Sequence, residues 1–204
     1  MTAHDVPATI RRAMAAHENI VIRVALACAL GLLVVFAVLL ATQHRATATA
    51  PDFRVARVGG VEYESIQGRP MDLRNPEDRG IVAGLPARQR QAGRGRILFG
   101  AFIATTNDSS GPRRTAGRIE LRDQGGRVYR RVALPPSNPY AYTPRLLEPG
   151  ERLPAFGSPA DVNLAATGKL LLFRVPPRRY ESGDVLELVI HDPSHPTATA
   201  SLIV

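Results

Sequence analysis

The chain has 204 residues, a formal net charge of +8, 17 glycines, 17 prolines and no tryptophan. A single cysteine, Cys28, excludes an intrachain disulfide framework, and few aromatics beside many turn formers argue for short strands over long helices. Past its apolar N-terminal part the chain is long enough for one domain with a substantial core and short for two.

Residues 1–18 read as a short tail in which Arg11 and Arg12 carry charge. Val24–Ala41 is an unbroken apolar run. At 1.5 Å per residue it nearly matches the hydrocarbon thickness of a bilayer, which predicts a transmembrane helix over 19–42. Ala46, Ala48 and Ala50 offer sites for signal cleavage as an alternative, and Ala25-Leu26-Ala27-Cys28 is a poor lipid-attachment signal because most of the apolar run follows the cysteine. Arginines flank the run on both sides, Arg11, Arg12 and Arg23 before it and Arg45, Arg54 and Arg57 after it. The layout of a short tail and a large following domain favours a single-pass protein of the cytoplasmic membrane with its C-terminal domain outside. The reverse orientation would lay a basic domain on the anionic cytoplasmic leaflet.

Residues 43–51 are small and polar, a linker, and 52–204 form the folded domain. Phe53–Val58 and Val61–Ile66 alternate about Gly59-Gly60, as a hairpin does. Asn75 suits an N-cap, Pro76 the first helical position and Glu77-Asp78 the positive helix end, so a two-turn helix is expected over Pro76–Ala83. It lies in an arginine-rich insertion near 67–96. Within that insertion Arg88, Arg90, Arg94 and Arg96 make the most basic run, without the interleaved aromatics that nucleic-acid stacking needs. Nucleic acid is accordingly not an expected partner.

From Ile97 the strand signal is regular. Ile97–Thr106, Ile119–Arg122, Val128–Val132, Leu170–Val175 and Val185–Ile190 are strand-like, divided by turn clusters at 107–112, 123–126 and 147–150. Residues 153–168 interrupt this spacing with a loop rich in Pro, Gly and Ala. The pattern predicts an all-β, antiparallel sandwich.

Four pieces occur in order: Thr105-Thr106-Asn107, Leu121-x-Asp123-x-x-Gly126-x-x-Tyr129, Leu147-x-Pro149-Gly150 and Phe173-x-Val175-Pro176. Over about 95–192 this order resembles a bacterial extracytoplasmic immunoglobulin-like domain family of unknown function, whose members are commonly membrane-tethered. The resemblance implies an immunoglobulin-like sandwich and an extracytoplasmic location, and it brings no catalytic residue. The insertion near 67–96 and the loop 153–168 depart from the family pattern.

No nucleophile elbow, P-loop or dinucleotide fingerprint is present, and no cofactor is expected. His191-Asp192-Pro193-Ser194-His195 holds ligand-type side chains, the basis of an alternative reading as a metal-dependent envelope enzyme using His191 and His195. Tyr140 and Tyr142 lie among prolines, where they present a contact surface or else fold over a sheet end. The expectation is a non-catalytic binding or assembly module on the lipid bilayer. It would engage a membrane or cell-envelope protein through Arg88, Arg90, Arg94, Arg96, Tyr140 and Tyr142.

Overall fold

A computed structural model describes residues 54–181, 183 and 185–204, all within a unit spanning Asp52–Val204. Among the described residues every pairing between the strands named below is antiparallel. The larger sheet runs in the order β1 (Val55–Val58), β2 (Val61–Pro70), β3 (Ile97–Asn107), β10 (Lys169–Val175) and β7 (Arg131–Val132), with β9 (Arg152–Leu153) also paired to β3. A four-stranded sheet has the order β12 (Thr199–Ile203), β11 (Leu186–His191), β5 (Ile119–Asp123) and β6 (Val128–Tyr129). A short third pair joins β4 (Arg113–Arg114) to β8 (Leu146–Leu147).

The β1–β2 hairpin closes at Gly59-Gly60, both at positive φ (62° and 78°), the conformation a tight two-residue turn demands. Strand β2 continues four residues past the expected end, to Pro70, because the register shift at Ser65/Gln67 lets Gln67–Pro70 pair with Phe99–Phe102. The insertion proper therefore begins after Pro70.

Two apolar clusters share β3 and β10. Tyr63, Phe99, Ala101, Ile103, Leu171 and Phe173 meet Ile119, Leu121, Leu188, Ile190 and Leu202 of the four-stranded sheet, so the two sheets bury one another. The intervening residues Leu98, Phe102, Leu170 and Leu172 face the other way, and there Met71, Ile81, Val82 and Leu85 of the insertion cover them. This alternation is the period of two of a strand, here with both faces buried.

The insertion is held by few but well-buried polar contacts. Asn75 caps α1 (Pro76–Ile81) by accepting from the Glu77 amide at 3.0 Å. Asp78, 2% exposed, accepts from Arg69 Nη1 and Nη2 at 3.1 and 2.7 Å and from the Asp72 amide at 2.7 Å. Asn138 Nδ2 donates to the carbonyls of Ile81 and Ala83, satisfying the end of the same helix. A second short helix, α2 (Ala87–Arg90), follows.

Among the described residues no helix is long and apolar enough to cross a membrane. The longest, α1, has six residues and rises about 9 Å, against about 30 Å of hydrocarbon. The expectation of an all-β sandwich preceded by one transmembrane helix, and the single-pass cytoplasmic-membrane location built on it, are corrected to a β-rich domain of three antiparallel sheets with short helices. Residues 19–42, on which that expectation rested, lie outside the described residues, as do the tail 1–18 and the linker 43–51.

Candidate functional site

Asp123 organises the turn that leads into the most basic feature of the described domain. Its carboxylate accepts from the Arg127 amide at 2.9 Å and from the Tyr129 hydroxyl at 2.7 Å, while Gly126 takes φ 78° to let the chain reverse. The Tyr129 hydrogen bond is the main cause holding this carboxyl below its ordinary pKa; the Arg127 amide and the nearby Arg179 guanidinium act in the same direction. A depressed carboxyl contributes stability that is present above its unfolded pKa and is lost as pH falls through the folded one. Tyr129→Phe is therefore expected to cost about 2 kcal/mol in urea unfolding at neutral pH. That difference should shrink as pH drops below the carboxylate range, and a pH-independent difference would contradict this coupling.

From Tyr129 the chain leaves one sheet for the other. Tyr129 pairs with Leu121 of β5, whereas Arg131 pairs with Phe173 of β10. Arg127, Arg130 and Arg131 are carried around this crossing, Arg174 stands next to it on β10, and Arg96 enters just ahead of β3. The five arginines line a groove of about 450 Å³ that no carboxylate lines.

Three of the five, Arg131, Arg174 and Arg127, are positioned by contacts within the domain. Arg131 reaches the Tyr142 carbonyl with Nη2 and lies 5.4 Å from the centroid of the Tyr142 ring, and its Nε is buried without a hydrogen-bond partner. Burial holds its guanidinium below the usual arginine pKa. Arg174 donates through Nη2 to the Gln89 carbonyl at 2.9 Å, which ties the groove to the end of the insertion. Arg127 sits over the Tyr129 ring at 5.8 Å.

The six residues expected at a contact surface separate. Arg88 and Arg90 lie on α2, with Arg90 Nε donating to the Leu85 carbonyl at 2.8 Å. Arg94 is exposed on the turn that follows, and Arg96 belongs to the groove. Tyr142 is 2% exposed and its hydroxyl donates to the Ala116 carbonyl at 2.8 Å. The Ala116 amide in turn donates to the Tyr63 hydroxyl at 2.6 Å, so two tyrosines clamp one buried residue. Tyr140 is half-buried and accepts from Asn163 Nδ2 at 2.9 Å. The tyrosine loop thus folds over the sheet end, because its hydroxyls find internal partners, and it offers no exposed aromatic pair.

His191 and His195 point to different carboxylates. His191 Nε2 faces Glu120 Oε2 at 3.5 Å, and His195 Nδ1 faces Asp192 Oδ2 at 3.7 Å. Among the described residues no group of three or more His, Cys, Asp or Glu side chains is placed to hold a metal ion.

Sequence reasoning missed Arg127, Arg130, Arg131 and Arg174. The available signal was the run Arg127-x-x-Arg130-Arg131 beside a strand break, but Arg174 and Arg96 join it only through pairing of β10 with β3 and β7.

No family model and no curated protein matches the chain. Two solved structures are similar at 11% identity: the ycdA protein of Bacillus subtilis, with a TM-score of 0.46 over 74% of this chain and 38% of that one, and the yjhA protein of the same organism, with a TM-score of 0.39 over 71% and 82%. The chain thus spans under half the length of the first.

Proposed function

We propose that the domain is a non-catalytic binding module whose exposed basic face, Arg88 and Arg90 on α2 with Arg94 beyond it, engages a protein partner through an acidic surface. One observation carries this reading: the basic run is mounted on a packed platform. Ile81, Val82 and Leu85 bury against the large sheet, and Asp78 and Asn138 tether the backbone, so the arginines after them are displayed from an ordered base. Preorganisation of this kind lowers the entropy lost on association. Charges of one sign at a rim steer an oppositely charged partner.

The test is crosslinking in native cells with a photoreactive residue at position 88 or 94, compared with a chain carrying Arg88→Glu and Arg94→Glu. One protein crosslinked in stoichiometric yield and lost on charge reversal is the expected result. Labelling that survives reversal, or no protein crosslinked at either position, would overturn the reading.

A further inference from the structure

We infer that the groove between β6, β7 and β10 is a binding site for a polyphosphate chain, an anion bearing several closely spaced phosphoryl groups, held by Arg96, Arg127, Arg130, Arg131 and Arg174. The groove adjoins the contact face on α2, linked to it by Arg174, which donates to the Gln89 carbonyl, but the two use different arginine side chains.

Like charges gathered around one concavity repel, and proteins ordinarily interleave them with carboxylates. Several arginines elsewhere in this domain are balanced in that way: Arg57 pairs with Glu62, Arg69 with Asp78, Arg118 with Glu120, Arg145 with Glu151 and Arg152 with Asp161. None of the five groove arginines has a carboxylate partner among the described residues. What sets these five apart is convergence: they line one groove with no carboxylate in its wall, where an anion meets several guanidinium groups at once.

Three features select phosphoryl groups among anions. Guanidinium forks match the geometry of phosphate oxygens and can bond them in pairs. Arg131 is already fixed by its ring contact to Tyr142 and by one terminal nitrogen on a carbonyl, so it loses little side-chain freedom on binding. The groove is also far larger than one orthophosphate requires, which fits a chain of linked phosphates touching several arginines together. A nucleic acid fits less well: Tyr129 and Tyr142, the aromatic rings against Arg127 and Arg131, are both buried and leave no face on which a base can stack.

The experiment is isothermal titration of the full chain with inorganic tripolyphosphate, using citrate and a short oligothymidylate as matched polyanions at about 0.1 M salt, where unspecific surface attraction is largely screened. Tripolyphosphate is expected to bind at least about tenfold tighter than either control. Arg127→Gln with Arg130→Gln, both exposed side chains, should weaken it about 100-fold, roughly tenfold for each charge-assisted hydrogen bond removed. Arg131→Lys keeps the charge and removes the planar guanidinium that the Tyr142 ring and carbonyl hold in place, and should weaken it about tenfold. The Arg88→Glu, Arg94→Glu chain should lose far less tripolyphosphate affinity than the Arg127, Arg130 chain, because those side chains act on the groove only through the screened field; this separates the site from the protein-contact face. Absence of tripolyphosphate binding, equal affinity for citrate or the oligothymidylate, or indifference to the Arg127 and Arg130 changes would overturn the assignment. Should the Arg131 variant fail to fold, the Arg127/Arg130 pair still decides the matter.

Discussion

Replacing Phe173 by alanine is expected to remove about 4 kcal/mol of stability, with a fall in Tm of roughly 10 °C. Phe173 is fully buried at the centre of β10, paired on one side with Phe99 and on the other with Arg131, and it packs in the cluster that joins the two large sheets. Alanine there loses the transfer free energy of a ring and leaves a void bounded by paired strands that cannot collapse into it. Phe173→Leu retains much of the volume and should cost less than about 1.5 kcal/mol. Urea unfolding of both variants checks the claim; a loss below about 2 kcal/mol for alanine would mean that the sheets close over the gap.

The second large effect is expected at Asp78. Its carboxylate is held by both terminal nitrogens of Arg69 and by the Asp72 amide, and Arg69 also lies 5.6 Å from the Phe102 ring and donates to the Ala165 carbonyl at 3.3 Å. Asp78→Ala strands the guanidinium over an apolar ring and leaves an amide without its acceptor. A broken buried pair costs about 3–5 kcal/mol, and because Arg69 keeps 27% of its side chain in solvent the lower end, about 3 kcal/mol, applies. Removing both partners, with Arg69→Met added, should restore a large part of the loss, since the uncompensated charge goes with the arginine. Additive losses in that double variant would show that the pair acts through something besides mutual neutralisation.

The local elements were legible wherever one stretch of sequence carries its own signal. Asn75-Pro76-Glu77-Asp78 names a helix start, and the helix begins there, though it ends at Ile81, two residues before the expected Ala83. The apolar run at 97 is strand through Asn107, and Lys169–Val175 stops against Pro176 because proline has no amide to offer the ladder. Periodicity failed at Gln67–Pro70, four residues of turn-like chemistry that a register shift recruits into β2. It failed again at Tyr140 and Tyr142, whose internal partners come from Asn163 and Ala116 and are invisible in the local string. The groove was the least legible feature. Charge counting along the chain finds the dense run at 88–96, whereas the five groove arginines are spread from 96 to 174 and become neighbours only when β7 and β3 flank β10.

Strand β3 has no wet side. Its odd-numbered residues Phe99, Ala101 and Ile103 serve the sheet-to-sheet contact, and its even-numbered Leu98 and Phe102 are roofed by residues 71–85. The insertion with its two short helices is thus a structural lid that the strand beneath it requires, so residues 71–92 are not a dispensable ornament on a minimal β scaffold. A shortened version lacking them would turn a greasy wall outward, and its molecules would meet one another through it before they met any ligand.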